Sequence, residues 1–115
     1  MTELTDGSPI AEQAASVMDD LRDPTCRTHV VTLLGDLPVT ETIETVAALQ
    51  ALDLRLGTVI ANRCIAVPPV PDPLPGAPDG ITPDDWNRMT AALLDEADRA
   101  RGQAAWQALL RYRTG

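Results

Sequence analysis

HVVTLLGDLPVTETIETVAALQALDLRLGTVIANRC, residues 29–64, decides how this chain folds. Residues 29–34 are almost wholly apolar and lack strict alternation, the pattern of a strand covered on both faces as in parallel sheets. Gly35 and Asp36 turn the chain out. Pro38 then opens a helix that places Val39, Ile43, Val46, Leu49 and Leu52 on one inward face and ends near Asp53. Gly57 precedes a second apolar strand, Thr58 to Ala61. Strand, helix and strand with short joins make a βαβ unit, with parallel, adjacent strands and a right-handed crossover.

Working outward, Ser8-Pro9 is a helix-entry signal, a capping hydroxyl followed by proline at the first helical position. Ile10, Ala14, Val17, Met18 and Leu21 recur on one face over residues 9–22, and Asp23-Pro24 stops that helix. On the other side, VPPVPDPLPGAPDGI (67–81) holds six of the ten prolines. It reads as a stiff extended connector, with a proline-rich ligand for a partner domain as the other reading. Thr82-Pro83-Asp84-Asp85 begins a last helix with an N-cap, a proline and acids suited to the helix dipole. That helix runs to about Arg113, with Gly102 as a candidate kink. Trp86, Met89, Leu93, Ala97 and Ala100 follow one face, continued by Trp106, Leu109 and Leu110.

The expected architecture is therefore α/β, a parallel sheet with flanking helices in the order α-β-α-β-α. Residues 1–115 form one incomplete domain, with a βαβ-containing core over 9–66, the proline-rich loop over 67–81 and the terminal helix over 82–114. Two central parallel strands need neighbours at their edges and helices over both faces, and three helices with two strands leave those edges open. The chain reads as part of a larger sheet.

Composition narrows the chemistry. Seventeen acids face nine basic residues, for a formal charge of -8, and all nine are arginine. That balance argues against nucleic-acid binding and against anionic membranes, which need clustered positive charge. Without lysine the chain holds no G-x-x-x-x-G-K-[ST] phosphate loop and no Schiff-base chemistry. The start, MTELTDGSPI, is acidic and polar, unlike a signal peptide, and no apolar run reaches the roughly 18 residues of a membrane span. A cytoplasmic location with reduced thiols is expected.

Cys26, His29 and Cys64 are the only residues that suggest a metal or redox site. Cys26 precedes the first strand and Cys64 follows the second, so they fall at opposite ends of the sheet, roughly 20 Å apart. A disulfide tolerates only about 7 Å. Cys26 and His29 alone make two ligands on opposite faces of a strand, so neither a metal site nor a nucleophile–base pair is expected.

The polar end of the second strand is different. In open α/β sheets, ligands bind beyond the carboxyl ends of the strands. Gly35-Asp36-Leu37-Pro38 and Asn62-Arg63-Cys64 both lie there. A carboxamide offers a donor and an acceptor to the edge of an adenine, and a neighbouring guanidinium can stack on the base or pair with a phosphate. The same residues have a plainer use, with Asn62 tying down its own loop and Arg63 pairing with an acid such as Asp36.

DPTCRTHVVTLLGDLPVTETIETVAALQALDLRLGTVIANRC, residues 23–64, resembles the second half of the ArsA-type ATPases. That family comprises the arsenite-pump, anion-transporting ATPases and the related tail-anchored-protein targeting ATPases, of the deviant-Walker P-loop class. The likeness rests on Leu37, Pro38, Val39, Glu41 and Thr42 as an LPV-x-ET helix start. It rests also on a following strand that ends in Asn62 and Arg63. Asp23-Pro24, Thr28 and the long helix around Arg99 to Gln103 fit as well. The likeness covers about residues 10–66 well and the remainder loosely.

The resemblance implies a partial P-loop NTPase-like sheet in which Asn62, with Arg63, contacts the adenine of ATP. The family's Walker loop, with its lysines and magnesium-binding threonine, and its switch aspartates have no counterpart here. They are expected before the region this chain covers, and the closing strand and adenine loop after it. The metal-binding cysteines of some members have no match. Phosphoryl transfer depends on that electrostatic clamp, so the chain alone is expected to be inactive, with no catalytic and no metal-binding residues. Magnesium and the phosphate site would come from an N-terminal half or a paralogous ATPase subunit. The alternative is a non-catalytic acidic module that docks on an ATPase subunit or self-associates as a homodimer.

Overall fold

The structure, a computed structural model, describes residues 7–115; the acidic start read above, residues 1–6, lies outside them. Its elements are α1 (Pro9–Arg22), β1 (Thr28–Leu33), α2 (Asp36–Ala51), β2 (Leu56–Asn62) and α3 (Pro83–Thr114). β1 and β2 pair in parallel as a two-stranded sheet. The α/β class and the α-β-α-β-α order are those expected from the sequence.

Each helix starts and stops where its chemistry dictates. Ser8 caps α1 by accepting from the Ala11 N–H at 3.0 Å, and Thr82 caps α3 by accepting from Asp85 at 3.2 Å. α2 begins two residues earlier than its proline suggests. Gly35 is its N-cap and Pro38 its third residue, where the missing N–H would have lacked a partner in any case. At the other end Asp53 adopts a left-handed φ of 57°. Its N–H donates to Gln50 O and that of Leu54 to Leu49 O, each at 3.0 Å, which closes the helix as a Schellman motif. Leu54, the residue after Asp53, is buried, the position at which such a motif places an apolar side chain.

The core is small and lies on one side of the sheet. Leu34, Val39 and Leu110 form its centre, packed by Ile43, Val59, Ala61 and Trp106. Thr42, not Leu52, completes the buried stripe of α2; Leu52 is exposed. The expectation that the strands are covered on both faces is corrected here. Val31, Leu33 and Ile60 are 63, 43 and 45% exposed, because α2 and α3 both pack on the opposite face. α1 does not cover the gap. It has no buried residue, and Ile10 and Val17 of its apolar stripe face solvent.

α3 runs unbroken through Gly102 for 32 residues, about 48 Å. Ala97, Ala100 and Leu110 are its buried positions, whereas Met89 is exposed. The proline-rich segment returns along the amino-terminal half of α3: the Trp86 indole N–H donates to Pro75 O at 3.1 Å. The radius of gyration is 23.2 Å, against about 13 Å for a compact chain of this length, and the molecule measures 79 × 24 × 21 Å. Among the described residues one sheet face and both sheet edges are left bare, so they close no core around the sheet.

Candidate functional site

The carboxyl ends of β1 and β2 converge where α2 begins. Leu33 of β1 stands opposite Asn62 of β2. Thr42, buried, donates its hydroxyl to Pro38 O at 2.8 Å, and the buried Thr32 hydroxyl lies between the same carbonyl at 3.2 Å and Leu33 O at 3.1 Å. This shared carbonyl fastens the end of β1 to the first turn of α2. The threonine of the LPV-x-ET stretch thus has a structural task, and nothing in the sequence pairs it with Thr32 except that both are polar residues in apolar surroundings.

Asn62 is the last residue of β2, and Arg63 follows with φ 54°. A left-handed arginine lies outside ordinary strand geometry and ends the ladder. Asn62 lines a groove of about 330 Å³ along the free edge of β1, together with Val31, Leu33, Pro38, Glu41 and Thr42. Cys64, two residues on, lines a separate groove of about 620 Å³ beside Leu110 and Arg111 of α3. The kink at Arg63 therefore parts the chain between two grooves.

Neither plainer use of the polar pair is realised. Among the described residues the Asn62 carboxamide makes no hydrogen bond, and Arg63 forms no ion pair with Asp36 or any other acid. The loop is tied down instead by Gln103 of α3. Its Oε1 accepts from the Ile65 N–H at 2.7 Å and its Nε2 donates to Arg63 O at 3.2 Å. Sequence reasoning placed Gln103 in a long helix without giving it this task.

The other polar candidates lie elsewhere. The ring of His29, at the amino end of β1, accepts through Nδ1 from the Thr58 N–H at 2.9 Å. That contact satisfies a register shift, in which Thr28 pairs with Leu56 but Val30 with Val59. Gly57 leaves room for the ring, since a Cβ there would fall 2.5 Å from His29 Cε1 and displace it. Cys26 and Cys64 are free thiols, and Cys64 Sγ lies 3.6 Å from Ala61 O. No cluster of three or more metal-binding side chains occurs among the described residues.

Among the described residues, one carboxyl is clearly perturbed, that of Asp23 before β1. Hydrogen bonds from the Thr25 hydroxyl (2.6 Å) and then the Thr25 amide (2.8 Å) hold its carboxyl below the usual range, with a smaller contribution from Arg55. No helix among the described residues is long and apolar enough to cross a membrane. The end of β2 thus presents a carboxamide at the groove and, on the next residue, a guanidinium, both without a partner among the described residues.

No protein-family model matches the chain. It is similar to the ATPase BagA of Mycobacterium tuberculosis (strain H37Rv), at 36% identity over 104 residues, 87% of this chain and 31% of that protein. A putative ATPase of Mycobacterium bovis matches with the same identity and coverage. So does a putative ATPase of Mycobacterium tuberculosis strain CDC 1551. The chain spans about a third of the length of these relatives, all of them named as ATPases or putative ATPases.

Proposed function

We propose that this chain is the carboxyl-terminal part of an ArsA-like ATPase nucleotide-binding domain, contributing adenine contacts but neither the phosphate nor the magnesium site. The observation that carries the reading is the end of β2. There Asn62, with no partner among the described residues, borders a groove, and the unpaired guanidinium of Arg63 follows on a left-handed residue. Similarity to proteins named ATPases supports it. Asn62 hydrogen-bonds the adenine edge through both amide atoms, and Arg63 stacks on the base or meets a phosphate. ATP is the ligand, and a partner polypeptide supplies magnesium and the phosphate-binding loop. The protein works in the cytoplasm, where its two free thiols remain reduced.

The bare sheet supports the same reading and also a second one. Exposed Val31, Leu33 and Ile60, with the free edges of β1 and β2, suit docking against more sheet and helix. In the first reading that surface receives the rest of a nucleotide-binding domain, from an amino-terminal half or a paralogous ATPase subunit. In the second the chain is an acidic, non-catalytic module that docks on an ATPase or pairs with itself.

Titration with a fluorescent ATP analogue, of the chain alone and mixed with the full-length mycobacterial relative BagA, separates them. The nucleotide-site reading expects Asn62→Ala to weaken binding about tenfold, the worth of one good base contact. Complex formation with unchanged nucleotide affinity in Asn62→Ala would leave the docking module as the function.

A further inference from the structure

We infer that Gln103 is the positioning residue of the Asn62–Arg63 loop, acting from α3 as a one-residue substitute for a neighbouring strand. The inference deepens the nucleotide-site reading, and its functional meaning rests on that reading.

The geometry is specific. In a parallel ladder, a residue accepts from the N–H that follows its partner and donates to the C=O that precedes it. The Gln103 carboxamide accepts from Ile65 N–H and donates to Arg63 O, the two groups flanking Cys64. Its single amide therefore makes the bonds that a strand residue opposite Cys64 would make. The pairing of β1 with β2 ends at Asn62, and the chain beyond it has no strand neighbour. Without Gln103 the Ile65 N–H and the Arg63 carbonyl would both lose their partner, leaving the long Cys64 Sγ–Ala61 O contact to hold the turn in which Arg63 takes φ 54°.

The consequence lies in direction. Arg63 in its left-handed conformation leaves Asn62 at the β1-side groove and Cys64 at the α3-side groove. Relaxed to extended geometry, the same loop would continue β2 and redirect the guanidinium and the following side chain. A residue 40 positions away in sequence thus sets where the Arg63 guanidinium points relative to Asn62, which the ladder holds opposite Leu33. A carboxamide suits this task because it carries an acceptor oxygen and a donor nitrogen on one carbon. Asparagine has both atoms but is one methylene too short.

Amide hydrogen exchange of the full chain tests the clamp directly, in Gln103→Met, which keeps length without polar atoms, and Gln103→Glu, which keeps only the acceptor. Gln103→Met should speed exchange at Ile65 about tenfold while the Val39 amide, bonded to Gly35 O, stays within about twofold. Gln103→Glu should keep Ile65 protected but shift the Arg63 and Cys64 backbone resonances. Unchanged Ile65 exchange in Gln103→Met would overturn the clamp, as would a uniform rise at Ile65 and Val39, which marks general loss of stability.

Binding of the fluorescent ATP analogue, measured in the mixture with the BagA relative, supplies the functional arm. Weakening of about fivefold or more in Gln103→Met, with Gln103→Glu between it and the native chain, is expected. If Asn62→Ala weakens binding and Gln103→Met does not, positioning by Gln103 is wrong and the adenine reading stands. If Ile65 exchange responds to Gln103→Met but neither variant alters binding, the loop clamp stands and the adenine reading is wrong.

Discussion

On one face of the sheet, Val59 and Ala61 pack with Leu34 against Val39 and Leu110; on the other, Val31, Leu33 and Ile60 meet solvent. The two faces carry similar residues, and only the placement of helices separates them. The covered face gives the chain its stability. The bare face, built equally of β-branched and aliphatic residues, leaves its apolar surface uncovered by the described chain, and it is the surface on which the proposed docking rests. Val39, with 0% exposure, offers the sharpest contrast with Val31 at 63%. Val39→Ala should cost about 2–3 kcal/mol in urea unfolding, through lost burial and an unfilled cavity. Val31→Ala should stay within about 0.5 kcal/mol in the isolated chain. Equal losses at the two positions would mean that the bare face is covered in solution.

The next largest effect probes the two ends of the sheet. The carboxyl end is held from outside by Gln103, whereas the amino end is held within the sheet by His29 at the Thr58 N–H. Gly57→Ala places a methyl group against the imidazole and should cost about 1–2 kcal/mol, either by displacing the ring or by shifting the strand. Combining it with His29→Ala removes the clash, so the double variant should be more stable than the sum of the two single losses predicts. Simple additivity would show that the ring does not lie over Gly57.

What the sequence disclosed follows the same division between local and distant causes. The βαβ unit was legible because apolar runs, turn residues and helix caps act within a few residues of one another. Asn62 and Arg63 were legible as an abrupt break in polarity at a strand end. The clamp on them was not: a glutamine on an amphipathic helix reads as surface, and its partners lie 38 and 40 residues away. His29 was legible only as a metal ligand short of partners; its bond to the Thr58 N–H was not, because the register shift that occupies it is a property of strand pairing. Leu52 carried the right spacing for the core, but the Schellman turn at Asp53 takes the chain out of the helix there and buries Leu54 instead. Coverage of one sheet face alone was equally hidden, since the pattern of HVVTLL states that both faces are apolar and not what lies over them.

Asp53 and Arg63 form a second pair for comparison, as the only non-glycine residues with positive φ among those described. Asp53 sits at a helix end where glycine is ordinarily used and where the dipole disfavours a carboxylate. Asp53→Gly should therefore stabilise the chain by about 0.5–1 kcal/mol, and Asp53→Asn by somewhat less. Arg63→Gly removes the same kind of backbone strain and should also stabilise by up to about 1 kcal/mol, yet lose affinity for the ATP analogue. That outcome would mark Arg63 as a residue kept for its guanidinium at the expense of its backbone. A destabilised Arg63→Gly would instead give the side chain a packing role.

The smallest effect belongs to the turn that joins the unpacked α1 to the packed β1. Asp23 accepts from both the hydroxyl and the amide of Thr25, and Cys26 N–H donates to Asp23 O at 2.9 Å. Because these bonds favour the carboxylate, its folded pKa lies below the ordinary value of 3.8. A depressed carboxyl stabilises the fold fully above its unfolded pKa and loses that contribution as pH falls through the lower folded value. The turn should thus be intact at neutral pH and loosen only in acid below the ordinary aspartate range. An NMR titration of the Thr25 amide should show a midpoint below that of an unstructured peptide of the same sequence, and Asp23→Asn should abolish the transition. Since α1 has no buried residue, the change should stay within the turn and leave the Val39 amide undisturbed. A midpoint at or above the peptide value would show that the Thr25 bonds do not form in solution, and a core amide that titrates with Asp23 would show that the turn is coupled to the covered face.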